Sequence, residues 1–174
     1  MLLGKTNDQF LSEKLIDLCN QKNLQITNDS NIKHHAVLNI KNHNSYIDVS
    51  SSGNTNKLNY PFSFNQLLSL IVLHTSEIFI QYQKLRYNPF QHLVIFNKKK
   101  LQLGSIHNLI LSNLILFQKE GLHKNQLYKI LWPNDKNIQI NKIDTHLSNL
   151  KNILLDQIKF KLSYTTIKGK INLF

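Results

Sequence analysis

The chain has 174 residues, 41% of them hydrophobic, which is enough apolar material for one ordinary domain or two small ones with modest cores. No apolar run approaches the roughly 18 to 20 residues of a membrane span, and the opening MLLGKTNDQF lacks the basic-then-apolar layout of a secretory leader, so a cytoplasmic protein with no membrane contact is expected. The formal net charge is +11 and the single cysteine, Cys19, excludes an intramolecular disulfide; within the apolar-patterned LSEKLIDLCN it reads as a core residue.

In chain order, Leu2 and Leu3 open a short strand. The stripe Phe10, Leu11, Leu15, Ile16, Leu18 and Cys19 then predicts a helix, and LQIT (24–27) a second strand. This is a β-α-β opening. AVLNI (36–40) and YIDV (46–49) are strand-like runs separated only by Lys41 to Ser45. A parallel crossover needs about a dozen residues, so the two runs predict a hairpin. SSSGNTN (50–56) reads as a polar loop, and KLNYPFSF leads into a long helical pattern from Asn65 to about Tyr87, ended by Pro89.

From His92 the texture changes. LVIF and LQL flank the basic turn NKKK and predict a small hairpin. Ser105 is a candidate cap for the helix IHNLILSNLILFQKE, closed by Gly121. A second helix, KNQLYKILW from Lys124, stops at Pro133. A third spans about 141–155, because Ile143, Leu147, Leu150 and Leu154 recur at helical spacing and leave Thr145, Ser148, Asn149 and Asn152 on the opposite side, flanked by Lys151 and His146. Two strand-like runs around a basic turn, KFKLSYTTIKGKINLF, finish the chain. The order hairpin, helix, helix, helix, hairpin is the layout of a winged helix-turn-helix.

The charge is uneven. Residues 1–88 hold eight Lys and Arg against six Asp and Glu, whereas residues 89–174 hold thirteen against four. A basic excess in so short a segment suits a polyanion partner, although the Asn-, Ile- and Lys-rich composition, with its AT-rich codons, accounts for part of the lysine. The expected division is therefore 1–88 and 89–174. His34, His35 and His43 lack the Cys or carboxylate companions of a metal site, and no Ser-His-Asp, P-loop or paired-carboxylate arrangement is present. No metal, no cofactor and no enzyme activity are expected. Trp132 reads as a core plug between helices.

LGSIHNLIL (103–111), GLHKNQLYKILW (121–132), IDTHLSNLKNIL (143–154) and YTTIKGKINLF (164–174) together resemble the effector domain of OmpR/PhoB-type response regulators. The matching positions are Leu103, Leu127, Leu131, Trp132, Ile143, Asp144, His146, Leu147, Leu150, Lys151, Thr166, Ile167, Lys168 and Gly169, across about 80 residues. Gly104 and His107 depart from the family's threonine and acidic residue, and Ile171 and Asn172 from its Gly-Tyr. MLLGKTNDQFLSEKL and YPFSFNQLL (60–68) resemble two pieces of a receiver domain. The resemblance implies a small receiver-like α/β domain, shortened and degenerate, followed by an OmpR/PhoB-type winged helix. It also implies that Thr6 and Asn7 replace the receiver's acidic pair, Asn39 its phosphate acceptor and Tyr60 its lysine. Asn forms no acyl phosphate, and without carboxylates a hard cation has little to bind. Aspartyl phosphorylation is expected to be absent, with Asp48 the remote alternative acceptor.

The resemblance places Lys142, Thr145, His146, Ser148, Asn149 and Lys151 at double-stranded DNA, and the helical wheel independently exposes Thr145, Ser148, Asn149 and Asn152. Lys168 and Lys170 would form the basic wing. Asn reads adenine bidentately and the Thr methyl can meet a thymine methyl, whereas guanine is best met by an arginine this half does not possess, so an A·T-rich site is expected. The expected function is a DNA-binding transcription regulator of two-component type with a pseudo-receiver, acting without phosphorylation. Dimerisation through the N-terminal domain is expected, since Leu67, Leu68, Ile71, Val72, Ile78 and Phe79 exceed what a small domain readily covers. The alternative is a protein-interaction module that binds another regulator or RNA polymerase and has lost sequence-specific reading.

Overall fold

The computed structural model describes residues 1–21, 26–51 and 53–174, and the chain forms two compact units, Met1–Ile78 and Phe79–Phe174.

The first unit is an α/β layer. Strand β1 (Leu2–Thr6) pairs in parallel with β2 (Ile26–Thr27) on one side and β3 (Ala36–Asn42) on the other, while β4 (Tyr46–Ser51) and β5 (Asn54–Asn59) continue the sheet antiparallel, in the order β2-β1-β3-β4-β5. Of the expected strand 24–27, residues 24 and 25 lie outside the described residues. A spatial order of 2-1-3-4-5 is that of flavodoxin-like receivers. Here the last strands are joined by hairpins instead of crossover helices, which is how the sheet is completed in so few residues. Helix α1 (Gln9–Gln21) supplies Leu11, Leu15 and Cys19, and α2 (Phe64–Ser76) supplies Leu67, Leu68 and Ile71, to a core with Leu2, Leu3, Leu38, Ile40, Ile47 and Val49. Burial pushes the Cys19 thiol up to about 11. A reciprocal capping box starts α2: Ser63 Oγ accepts from the Gln66 N–H, and Gln66 Oε1 accepts from the Ser63 N–H at 2.7 Å.

Two expectations for this region are corrected. Of the segment 50–56 expected as a loop, Ser50 and Ser51 belong to β4 and residues 54–56 to β5, Ser51 pairing with Asn54, and residue 52 lies outside the described residues. An edge strand whose residues are nearly all exposed needs no apolar alternation, and its polarity disguised it. The helix expected to run to Tyr87 stops at Ser76, and residues 80–88 form β6 (Ile80–Tyr82) and β7 (Leu85–Asn88), both antiparallel partners in a sheet with β8 (Leu93–Phe96) and β9 (Lys99–Gln102). Ile80, Tyr82, Leu85 and Tyr87 alternate with period two around a turn in which Gln83 takes φ +52°. The boundary between units therefore falls ten residues earlier than expected. With it, the first unit holds six basic and six acidic residues, and the second fifteen against four.

In the second unit β9 leads to α3 (Ser105–Leu116), β10 (Leu122–His123), α4 (Lys124–Leu131), α5 (Ile140–Ile158), β11 (Tyr164–Ile167) and β12 (Lys170–Leu173), with a small sheet ordered β10-β12-β11. This is a winged helix preceded by a four-stranded sheet. The cap of α3 is Gly104, not Ser105: the Asn108 N–H already bonds the Gly104 carbonyl, so Ser105 lies inside the first turn. The core gathers Tyr82, Leu85, Tyr87, Val94 and Leu103 of the sheet with Ile110, Leu114, Leu127, Tyr128 and the inner stripe of α5. One buried polar knot lies within it. The Tyr87 hydroxyl donates to Asn108 Oδ1 at 2.6 Å, and Asn108 Nδ2 donates to the Pro89 carbonyl at 3.0 Å. Both polar groups are thereby satisfied where water is absent.

Gly121 does not close α3, which ends at Leu116; it sits five residues later at φ +73°, its N–H bonded to the Phe117 carbonyl at 2.7 Å. A Cβ there would collide with the Asn172 amide and the Lys170 stem. Gly121→Ala is therefore expected to destabilise the second unit by about 1–2 kcal/mol, from the positive φ and the clash together, read as a lowered urea midpoint of the full-length chain. An unchanged midpoint would show that the amide and stem shift freely.

Candidate nucleic-acid interface

Helix α5 buries Ile143, Leu147, Leu150, Leu154 and Ile158 and turns Thr145, Ser148, Asn149, Lys151 and Asn152 outward, all of them exposed. The apolar stripe orients the helix, so the open row follows from packing. The Thr145 hydroxyl donates to the Asn141 carbonyl at 3.1 Å, which leaves its methyl and its oxygen lone pairs for any partner.

The wing is a hairpin with a two-residue turn, Lys168 at φ +49° and Gly169 at φ +74°. Positive φ at both central positions is the turn whose twist matches antiparallel strands. Lys168 stands exposed at its tip, with Ile167 beside it at 61% exposure. The wing and α5 are held together through Lys124: its N–H donates to the Gly169 carbonyl at 2.9 Å, and its ammonium pairs with Asp144 in the first turns of α5. Tyr164 at the wing's base has its hydroxyl pKa raised, by burial and then by the Asp144 charge. Lys124 was not among the residues expected from sequence. Nothing in its local pattern marks it, because its role depends on two segments that meet only in the fold.

Three expected site residues stand differently from the rest. His146 is half-buried, its ring 5.6 Å from that of Trp132 and 5.8 Å from that of His107. Trp132 in turn packs on Tyr128 at 4.7 Å, so the four rings form a continuous row behind the open face. Burial, with the neighbouring His146 second, lowers the pKa of His107. His146 thus packs part of its ring against Trp132 and His107 and leaves the rest at the surface. Lys142 lies 3.6 Å from Asp135 and 5.7 Å from the Trp132 ring, so its charge is shared with the loop before α5. Hydrogen bonds from the Tyr128 hydroxyl and the Asn137 N–H hold the Asp135 carboxyl below the usual range. Lys170 is half-buried, its stem across Gly121. Arg86 of β7, the only arginine, stacks over Phe79, which precedes β6, at 4.6 Å.

In the first unit the sheet register and the hydrogen bonds place Asn39 and Asn42 differently. Asn39 lies mid-strand, opposite Lys5 and Ser50. The residue beside Asn7 and Asp8 is Asn42: its N–H donates to Asn7 Oδ1 at 2.8 Å, its side-chain amide to Asp8 Oδ2 at 2.7 Å, and its Oδ1 accepts from the Tyr60 hydroxyl at 2.7 Å. The alternation Leu38, Ile40, Asn42 was the available signal, since period two carries that face to the end of β3. Thr6 aligns with Ile40, and its hydroxyl accepts the Asp8 N–H at 3.2 Å. Asp48 is half-buried on β4, 3.2 Å from the His43 ring. Among the described residues no group of three or more His, Cys, Asp or Glu side chains could hold a metal ion, and no helix is long and apolar enough to cross a membrane.

No family model and no curated protein matches the chain. Solved structures similar to it include the DNA-binding domain of Escherichia coli CadC, at 14% identity over 54% of this chain and 89% of that one, TM-score 0.47. The C-terminal domain of the lantibiotic response regulator NsrR is similar at 24% identity over 53% and 93%, TM-score 0.44. The response regulator DrrB of Thermotoga maritima, an OmpR/PhoB homologue, is similar at 14% identity over 99% and 98%, TM-score 0.49.

Proposed function

We propose that the protein is a DNA-binding transcription regulator whose second unit reads A·T-rich duplex through the open face of α5. The observation that carries this reading is the concentration of all the net positive charge in the unit that also presents five exposed polar side chains on one helix beside a basic wing. Lys151 and Lys168, with Lys142 and Lys170 in reserve, neutralise phosphates. Ser148, Asn149, Asn152 and the Thr145 methyl meet base edges. With the only arginine occupied by Phe79, guanine lacks its best partner. Regulation proceeds without aspartyl phosphorylation, a reading supported by asparagine at both Asn39 and Asn42 on β3, since asparagine forms no acyl phosphate. Exposed Val72 and Leu73 on α2 supply a surface for homodimerisation through the first unit.

Selection of genomic fragments by the purified chain, followed by titration of two variants, tests this. Asn149→Ala is expected to cost about 1–3 kcal/mol of discrimination at one position of the selected site and to relax it there. Lys151→Ala is expected to weaken all sequences alike and to lower the salt slope by about one. Unchanged binding by both variants would remove α5 from the interface. Ile167, exposed at the wing, favours a second reading in which the winged helix docks on another regulator or RNA polymerase. That reading predicts no selected site and a shallow salt dependence.

A further inference from the structure

The first unit carries an unexplained cavity of about 230 Å³ at the ends of β1 and β3. Its walls are Phe10, Tyr60, Phe62 and Phe64, and its polar end is Asp8 with Asn42. The Tyr60 and Phe62 rings lie 4.8 Å apart, yet Phe10 is 62% exposed and Tyr60 and Phe64 are each 43% exposed. Four aromatic rings around one opening, three of them exposed, form an apolar concavity with a few polar groups at one end, as a ligand site does.

The polar end has a definite sign. Asp8 Oδ1 accepts the Leu11 N–H at 3.0 Å and Oδ2 accepts the Asn42 amide, so the carboxylate is fixed in place and keeps spare lone pairs. Those bonds hold its pKa below the usual carboxylate range, the Leu11 bond first and the Asn42 bond second. Asn42 has both its side-chain groups committed, its amide to Asp8 and its oxygen to Tyr60. What remains at that end is an acceptor and a negative charge beside aromatic rings, a ring type whose face attracts cations. We propose that this cavity binds a small aromatic ammonium, with the flat ring held among Phe10, Tyr60, Phe62 and Phe64 and the protonated amine on Asp8. The volume suits one or two fused rings, and an anionic head would meet Asp8.

The test is a titration of the ¹⁵N-labelled full-length chain with tryptamine and, separately, indole-3-acetate, which share a ring system and differ in the sign of the head. Tryptamine is expected to give saturable shifts centred on Phe10, Asn42 and Tyr60, with indole-3-acetate at least tenfold weaker. Asp8→Asn keeps an oxygen for the Leu11 N–H and is expected to abolish the difference between the probes. Phe10→Ala removes an exposed ring and is expected to weaken both about tenfold. Equal affinities, shifts centred elsewhere, or no saturable shift would each overturn the assignment. So would shifts of the same resonances that track protein concentration alone, which would give the cavity to a second copy of the chain.

Discussion

Raising monovalent salt from about 50 to about 200 mM is expected to weaken duplex binding roughly a thousandfold, the loss that follows when about six phosphates are neutralised and their counterions released. The second unit has the charge for it, with fifteen basic residues against four acidic ones, while the first unit is balanced and adds no field of its own sign. Lys151 on α5 and Lys168 at the wing tip are both exposed, and the Lys124 bridge to Gly169 and Asp144 keeps the wing turn beside α5. Asp144 is the one carboxylate in the first turns of α5, and its pairing with Lys124 limits the repulsion it would offer a phosphate. Anisotropy titrations of a labelled duplex across that salt range measure the slope. A change of less than about tenfold would mean that few phosphates are touched, and the duplex reading would give way to protein docking.

Leu147→Ala is expected to destabilise the second unit by about 3 kcal/mol, within the range of about 2–5 kcal/mol for truncating a fully buried leucine. Leu147 is 0% exposed on the inner stripe of α5, in a core shared with Leu127, Tyr128 and Ile110. Close packing leaves a cavity that the neighbours fill only partly, so the cost exceeds simple transfer to water. Asn149, two residues on and exposed, is expected to tolerate alanine within about 0.5 kcal/mol. The single tryptophan, Trp132, lies in this unit against His146, so its fluorescence during urea unfolding reports the relevant transition. Equal midpoints for the two variants would mean that α5 is not anchored by this stripe.

These contrasts show what residue pattern alone determined. The 3.6-residue stripe from Ile143 to Leu154 was legible because burial on one face imposes its own spacing, and the strand-like runs 36–40, 46–49 and 93–96 were legible as short apolar stretches bounded by polar turns. The wing turn was legible from Lys168-Gly169 between two strand-like runs. The open face of α5 followed without further information, as whatever the stripe leaves over must face outward. Strand β5 and the helix end at Ser76 were not legible: one is too polar to show alternation, and the other passes from one apolar period to another with no glycine or proline between them.

Tertiary structure alone decided the roles that depend on distant partners. It packed part of the His146 ring against Trp132 and His107, shared Lys142 with Asp135, and brought Lys124 between the wing and α5. It brought Asn42 against Asn7 and Asp8. Each of these depends on which side chains meet across long stretches of chain, and hydrogen bonds and ring contacts of that kind leave no period in the sequence. Spacing reports burial, a property each element carries by itself, whereas pairing is a property of two elements and exists only once the chain has brought them together.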